Sequence, residues 1–255
     1  MPLEIATVPC LADNYAFLLH ARETGETALI DAPEPGPIQA ELDARGWSLS
    51  QVWLTHHHWD HVDGLPELRD RWHPRVVGAR ADAHRLPALD RQVSDGGQFT
   101  FAGHEVKVLD VSGHTVNHIA FYVADARAVF TADSLMALGC GRLFEGSADQ
   151  MWASMQKLAA LPDDTVVYSG HEYAQANAAF ALTIEPGNPA LDARARGISA
   201  ARAVGQATVP SLLAEEKATN PYLRPSSSAI RTHLDMVNAT DAEVFAEIRR
   251  RKDAF

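Results

Sequence analysis

The sequence predicts an α+β fold in which layers of β-sheet are covered by helices and followed by an all-helical C-terminal part. Short segments rich in Val, Ile, Phe and Tyr alternate with helical patterns through roughly the first 170 residues. From Ala174 to Phe255 the chain is alanine-rich and charged, and no strand pattern is visible. This change of character predicts two domains, residues 1–172 and residues 173–255.

The predicted strands are short runs of high β-propensity bounded by turn residues: LEIATVP, YAFLLHA, TALIDA, QVWLT, RVVGA, FTFAGHEVKVLDV, HIAFYVAD, AVFTA and TVVYSG. The AGH inside the sixth run predicts a hairpin turn. Helical spacing predicts helices between the strands at PIQAELDARG, LPELRDRWH and DQMWASMQKLAAL. The C-terminal helices are predicted at YAQANAAFALTIE, PALDARARGISAARAVG, SLLAEEKA and DAEVFAEIRRRKDAF, with EPGNP and NPYLRPSSS as breakers.

Composition excludes several classes of protein. The 255 residues are 46% apolar and 22% charged, which is typical of a packed globular chain. A net charge of -11 argues against general nucleic-acid binding. The chain shows no secretory signal pattern and no apolar run near the roughly 18 residues of a membrane span. Two cysteines, Cys10 and Cys140, do not make a disulfide framework. We therefore expect a cytoplasmic protein without nucleic-acid or membrane partners, and we expect it to be a monomer.

A histidine cluster lies in the stretch WLTHHHWDHVDG, directly after the predicted strand QVWL. His56, His58, Asp60 and His61 form an H-x-H-x-D-H pattern. The alternation of a strand lets the first two histidines point the same way, and a turn is needed to bring Asp60 and His61 nearby. Imidazole and carboxylate groups suit Zn²⁺ or Fe²⁺, so the pattern predicts a metal site.

Further metal ligands are expected at other strand ends. His114 follows the strand that ends at Val111, Asp133 follows AVFT, and His171 follows TVVYS. Each alone is better explained by an ordinary turn residue or a hydrogen-bonded buried histidine. Several strand-end clusters of the same type together favour a metal centre.

These motifs resemble the metallo-β-lactamase superfamily and, more narrowly, the glyoxalase II family of hydroxyacylglutathione hydrolases. The superfamily resemblance is carried by H-x-H-x-D-H, GHT, FTAD and GHEY. The narrower resemblance is carried by GCGRLFEG, GHEY, EPGNP, NPYLR and the terminal RRRKDAF, so it covers nearly the whole chain. It implies an αββα sandwich followed by a helical glutathione-binding domain.

The resemblance also implies a binuclear metal site. One ion would be bound by His56, His58 and His114, and the other by Asp60, His61 and His171, with Asp133 bridging both. The two divalent ions are expected to be Zn²⁺, with Fe or Mn as alternatives. They would activate a shared hydroxide that attacks the thioester carbonyl of S-D-lactoylglutathione and releases D-lactate and glutathione. Asp60 and Asp133 are accordingly the expected catalytic residues, and Asp60 would also orient the hydroxide.

The resemblance also implies which residues bind the substrate. The resemblance implies that Arg249 and Lys252 grip the glycine carboxylate of glutathione and that Tyr173 adds a phenol hydrogen bond. Arg142 stands where the family usually has a lysine, and Phe144 where it often has a tyrosine, which leaves no hydroxyl there. Without the resemblance, the RRRK segment is typical of a solvated helix end.

Several residues near the motifs have roles that the sequence leaves open. Asp31 is explained equally well as a partner of the site and as an ordinary strand-end turn. His57 and His118 are expected in supporting roles, and Cys140 in a structural one. An iron-dependent persulfide dioxygenase on the same scaffold and a metal-binding protein without catalysis are the rival functions.

Overall fold

The computed structural model describes residues 3–255 and divides into two compact units. The first unit contains the described residues up to Asp110 together with Asn117–Thr131. The second contains Val111–Val116 together with Ala132–Phe255. Among residues 3–255 no helix has both the length and the apolar composition needed to cross a membrane. The boundary between residues 172 and 173 stays a prediction.

The described part of the first unit begins with a six-stranded sheet in the order β1-β2-β3-β4-β5-β6. Its strands are β1 (Leu3–Cys10), β2 (Asn14–Ala21), β3 (Glu26–Ile30), β4 (Ser48–Trp53), β5 (Arg75–Ala79) and β6 (Arg91–Val93). The first three pair antiparallel, and β3 to β6 pair parallel. The helices of this unit are α1 (Pro35–Arg45), α2 (Trp59–Val62) and α3 (Leu65–Trp72). Helix α1 packs against β1, and α3 packs against β4.

An antiparallel layer follows in the same unit. Its strands are β7 (Gln98–Phe101), β8 (His104–Asp110), β9 (Ile119–Val123) and β10 (Ala128–Ala132), paired in that order. The AGH hairpin is confirmed, because Ala102 and Gly103 take φ values of 47° and 87° between β7 and β8.

Aromatic rings join the two layers of the first unit. The fully buried Trp53 of β4 meets rings of β7 and β9, with centroids 5.1 Å from Phe99, 5.4 Å from Phe101 and 5.4 Å from Phe121. The two sheets therefore share one aromatic core. This confirms the predicted sandwich.

The second unit contains the helical C-terminal part. Its helices are α4 (Ala148–Ala159), α5 (Ala174–Ile184), α6 (Pro189–Ala203), α7 (Leu213–Thr219), α8 (Ser228–His233) and α9 (Asp241–Ala254). Ser147 and Gln150 form a capping box at the start of α4, as Thr240 and Glu243 do for α9. Helix α5 packs against α6, and α4 packs against α9.

Short strands complete the second unit: β11 (Leu135–Met136), β12 (Gly139–Cys140), β13 (Val166–Ser169) and β14 (Ser211–Leu212). The expectation that no strand follows Ala174 is wrong at β14, which pairs antiparallel with β13. A two-residue strand is too short to show alternation in sequence, and it forms because β13 offers backbone groups to pair with. For the same reason the predicted helix SLLAEEKA begins at Leu213.

Candidate metal centre

The loop after β4 gathers three imidazole rings within the first unit. The ring centroid of His56 lies 4.8 Å from that of His58 and 4.3 Å from that of His61. His56 and His61 are fully buried. Helix α2 supplies the turn that the sequence pattern requires, because it begins directly after His58 and carries His61 back toward His56.

Asp31 and Thr55 orient two of these rings. Asp31 accepts hydrogen bonds from the backbone N–H of Thr55, from its hydroxyl and from Nδ1 of His61, each at 2.8 Å. Because the Thr55 hydroxyl donates to Asp31, it accepts from Nδ1 of His56 at 3.0 Å. With Nδ1 protonated and engaged, both rings would bind a metal ion through Nε2, as metal-binding histidines supported by carboxylates do. Asp31 is therefore a partner of the site and not an ordinary turn residue.

Asp60 is held by a residue that sequence reasoning does not select. The side-chain amide of Asn14 donates to the backbone carbonyl and to Oδ2 of Asp60, both at 3.0 Å. Asn14 is the first residue of β2 and is buried. In the sequence it looks like any turn asparagine, because its partner lies 46 residues away.

Two histidines close to the candidate ligands, His57 and His118, are not in the expected ligand set and have supporting contacts. Nδ1 of His57 lies 3.1 Å from Oδ2 of the fully buried Asp82, which also accepts from Arg85 at 2.6 Å. His118 stacks on His56 with ring centroids 4.5 Å apart and planes 16° from parallel. The supporting roles predicted for His57 and His118 agree with these contacts.

The second unit brings three further candidates together. Oδ2 of Asp133 lies 3.4 Å from Nε2 of His114 and 3.2 Å from Nε2 of His171. All three side chains are buried. Nδ1 of His114 donates to the carbonyl of Arg142 at 2.8 Å, which turns its Nε2 toward the carboxylate. A carboxylate between two imidazoles is a donor set that suits divalent transition metals.

Gly141 permits this arrangement. A Cβ at this position would lie 1.9 Å from the carbonyl oxygen of Asp133 and 3.0 Å from Nδ1 of His114. No side chain fits there, so the second glycine of the GCG motif lets the backbone pass close to both candidate ligands.

Three of the predicted substrate residues lie beside candidate ligands of the second unit. Arg142 provides the carbonyl that His114 binds, and its own side chain is 60% exposed. The exposed ring of Phe144 lies 5.3 Å from the ring of His114. The ring of Tyr173 stacks on His171 at 4.7 Å, with planes 7° apart.

Arg249 is placed differently from a solvated helix end. It is 5% exposed, and its guanidinium donates to the carbonyl of Cys140 at 3.0 Å and to Asp253 at 2.9 Å. It also lies over the ring of Tyr222 at 5.5 Å. Burial raises the pKa of the Cys140 thiol to about 11 in spite of the neighbouring guanidinium. This thiol therefore stays protonated at neutral pH, in agreement with a structural role.

Lys252 lies on the same helix and packs over two aromatic rings. Its Nζ is 5.1 Å from the ring centroid of Phe180 and 5.2 Å from that of Phe255, and it donates to the carbonyl of Ala176 at 3.1 Å. Burial, with a smaller contribution from Arg249, lowers the pKa of Lys252. The role of this basic pair in gripping a carboxylate stays a prediction.

Family profiles match almost the entire chain. The metallo-β-lactamase superfamily profile covers residues 13–171, and that described as hydroxyacylglutathione hydrolase C-terminus covers residues 172–255. A hydroxyacylglutathione hydrolase of Ruegeria pomeroyi is 67% identical over 255 residues, which is 100% of both chains. Proteins of the same name from Roseobacter denitrificans and Methylococcus capsulatus are 66% identical over 100% of both chains and 53% identical over 99% of both.

Solved structures share the fold. ETHE1 from Myxococcus xanthus aligns with a TM-score of 0.67 at 25% identity, over 100% of this chain and 99% of its own. The B3 metallo-β-lactamase BLEG-1 aligns with a TM-score of 0.67 at 18% identity, over 87% of this chain and 100% of its own. TTHA1623, solved in a di-iron-bound form, aligns with a TM-score of 0.63 at 23% identity, over 86% of this chain and 100% of its own.

Proposed function

This chain belongs to the hydroxyacylglutathione hydrolase family of the metallo-β-lactamase superfamily, and we propose that it hydrolyses S-D-lactoylglutathione and related S-2-hydroxyacylglutathiones. The products are the free 2-hydroxy acid, D-lactate in the first case, and glutathione. The observation that carries the proposal furthest is the carboxylate of Asp133 between the imidazoles of His114 and His171. Relatives that match the chain over its full length bear the name of this activity.

The fold and the His/Asp clusters support divalent metal binding by this chain. We propose that two ions bind in the arrangement that the family motifs imply, and that Zn²⁺ is the preferred metal. His56, His58 and His114 would hold one ion, Asp60, His61 and His171 would hold the other, and Asp133 would bridge them. Iron is the main alternative, since imidazole and carboxylate groups bind both metals and a fold neighbour was solved in a di-iron-bound form.

A pair of divalent ions, when bound, lowers the pKa of a water molecule and polarises a carbonyl oxygen. The residues of the chain hold and orient the reacting groups. One hydrogen bond from Asn14 holds the carboxylate of Asp60 and a second holds its backbone carbonyl, and this carboxylate would align the attacking water. Tyr173 and Phe144 lie beside His171 and His114, where they can line the path of the thioester. The glutathione thiolate is a good leaving group, so no residue has to act as a strong general acid.

Positive charge is required to bind glutathione, because glutathione carries two carboxylates. Arg142 and Lys252 are our candidates for these contacts. Arg142 exposes its guanidinium, and Lys252 keeps a charged head above two aromatic rings. Arg249 belongs to the same proposal through the family motif, although its bonds to Cys140 and Asp253 occupy part of its donor set.

The test is turnover of S-D-lactoylglutathione by purified protein, measured beside metal content and oxygen uptake. Hydrolysis without oxygen uptake, with about two metal ions per chain, is the expected result. Oxygen consumption with a glutathione persulfide would instead favour the dioxygenase, and bound metal with neither reaction would favour a non-catalytic protein.

His171→Ala sharpens the test. It removes a ligand from the second ion, so we expect hydrolysis to fall by roughly 100-fold or more. A dioxygenase with one iron would not need this residue and would keep its oxygen-dependent activity.

A further inference from the structure

The β11–β12 hairpin is a buried element with more backbone groups than its own pairing can satisfy. Its ladder contains the pairs Leu135–Cys140 and Met136–Gly139. Residues 135–140 are all buried, and Leu138 in the turn has a left-handed φ of 56°. Buried backbone groups need hydrogen-bond partners, so this turn depends on side chains from elsewhere.

Those partners come from the helical part of the second unit. The Asn220 amide donates to the carbonyl of Met136 at 3.1 Å and to that of Gly139 at 3.0 Å. Asn177 donates to the carbonyl of Ala137 at 3.0 Å, Arg249 donates to that of Cys140 at 3.0 Å, and Glu216 accepts from the N–H of Leu138 at 2.9 Å. We call Asn177, Glu216, Asn220 and Arg249 the hairpin clamp.

The clamp is itself buried and internally paired. Glu216 and Asn220 are fully buried, and the Asn220 amide also donates to Glu216 at 3.1 Å. Arg194 pairs with Glu216 and donates to Thr219 at 2.7 Å. Burying a carboxylate and a guanidinium costs free energy that an apolar contact would not. Leucines could cover this hairpin but could not satisfy its buried backbone groups, and the directional hydrogen bonds of the clamp also fix where the hairpin backbone lies.

The hairpin is joined to one candidate metal ligand by the chain and to a second by a hydrogen bond. Asp133 lies two residues before β11, and the N–H of Gly141 donates to Ser134 at 3.0 Å just after β12. The next residue, Arg142, accepts from Nδ1 of His114. Gly141 also passes so close to the carbonyl of Asp133 that a Cβ would not fit. A shift of the hairpin therefore moves the Asp133 backbone and the acceptor that orients His114.

We propose that the hairpin clamp positions Asp133 and His114 for metal binding, so that helices α5, α7 and α9 set metal affinity and do not serve substrate binding alone. This rests on the proposed function, because it takes Asp133 and His114 as ligands. Arg249 is then a positioning residue that acts through the carbonyl of Cys140 and the hairpin.

The test measures metal affinity and does not rely on turnover. Asn220→Asp keeps the side-chain oxygen that accepts from the N–H of Tyr222. It replaces the amide nitrogen by a second oxygen, which cannot donate to the carbonyls of Met136 and Gly139. Arg249→Met removes the bond to Cys140 at similar side-chain volume, and Asn177→Ala is a milder change in case Asn220→Asp does not fold. Competition with a chromophoric chelator gives the dissociation constants of Zn²⁺, and the Co²⁺-substituted protein reports ligand geometry through its visible spectrum.

The matched control is Arg224→Met. Arg224 makes a bidentate ion pair with Glu185 at 2.8 and 2.7 Å in the same helical part, and neither residue bonds the hairpin. We expect the clamp variants to bind Zn²⁺ about tenfold more weakly, the lower end of the range for groups that orient metal ligands. They should also alter the Co²⁺ spectrum, whereas the control stays at the wild-type affinity.

Equal affinity in clamp variants and wild type, or an equal loss in Arg224→Met, would overturn the inference. Those outcomes leave the proposed function standing if wild-type protein hydrolyses the thioester. Conversely, a clamp-dependent metal affinity in a protein that does not hydrolyse S-D-lactoylglutathione would reject the proposed function and retain the clamp.

Discussion

The two units provide their candidate ligands in different ways. In the first unit, His56, His58, Asp60 and His61 come from one loop and a one-turn helix after β4. Asp31 and Thr55, which lie just after adjacent strands of one sheet, orient His56 and His61. In the second unit, His114, Asp133 and His171 come from separate loops. Asp133 and the carbonyl that orients His114 lie on either side of a hairpin held by helices. The compact motif comes from one segment and is oriented by neighbouring strands of one sheet, whereas the dispersed set is assembled from segments far apart in the sequence.

The largest expected effect comes from the dispersed set of the second unit, His114, Asp133 and His171. Asp133→Asn keeps the shape of the side chain but removes the charge between two imidazoles. Metal ions contribute several kcal/mol to such reactions, so kcat should fall on the order of 10³-fold, and both ions should bind more weakly. Metal analysis beside turnover and circular dichroism checks this. An Asn variant with two ions and normal turnover would exclude a bridging role.

The compact set of the first unit, His56, His58, Asp60 and His61, is tested through Asp31→Asn, because Asp31 orients His61. Asparagine tolerates the left-handed φ of 57° at this position, so the backbone should keep its shape. Loss of the charge that faces His61 should weaken metal binding about 10–100-fold. Asp82→Asn is the control in the same unit, because it alters the partner of His57 and not of a proposed ligand. Similar losses in both variants would mean that the effect is general destabilisation.

Substitution of the proposed substrate-binding residues should change the affinity for substrate without affecting either set of candidate metal ligands. Arg142→Ala with Lys252→Met should raise KM for S-D-lactoylglutathione about tenfold and spare kcat, since uniform binding is lost and 1.4 kcal/mol is tenfold. A small thioester without the glutathione carboxylates should be hydrolysed at the wild-type rate. Equal losses on both substrates would show that these two residues do not bind glutathione.

The pH dependence of the free energy of unfolding tests Glu185, a buried residue of the second unit that does not contact the hairpin. Burial raises the pKa of Glu185, but hydrogen bonds from Arg224, Asn188 and Ser227 outweigh it, so its pKa is lowered. Its contribution is therefore present above the ordinary value of about 4.5 and is lost as pH falls through the lowered pKa. Glu185→Gln should cost about 1 kcal/mol at pH 7 and less at acid pH. Thermal unfolding across pH measures this, and a cost independent of pH would contradict it.

The most local effect concerns two buried thiols, one in each unit. Burial raises the pKa of Cys10 to about 12 and that of Cys140 to about 11, so both should react slowly with a disulfide reagent at neutral pH. Asn177→Ala should speed labelling of Cys140, about tenfold for each 1.4 kcal/mol lost in local opening, and leave Cys10 unchanged. Equal acceleration of both would mean that the hairpin does not open separately.

Sequence reasoning succeeds where the determining contacts are local. The strand around Trp53 and the turn at Gly103 follow from residue type and alternation. The same reasoning misses β14, which is too short to show a pattern, and it misses Asn14, whose partner Asp60 is far along the chain. It also places Arg249 by family motif alone, because no pattern in RRRK distinguishes a guanidinium that binds a hairpin carbonyl from one that faces solvent.

The bond between Arg249 and Cys140 has a consequence for the order of assembly during synthesis. The two residues are 109 positions apart. At roughly 5–20 residues per second, the Cys140 carbonyl waits on the order of 5–20 s after its own synthesis before its partner is made. The histidine loop of the first unit has no such delay, because Asn14, Asp31 and Thr55 all precede its candidate ligands. A nascent chain should therefore form one ligand set while the other awaits its last helix, and metal supplied early would meet an unfinished site.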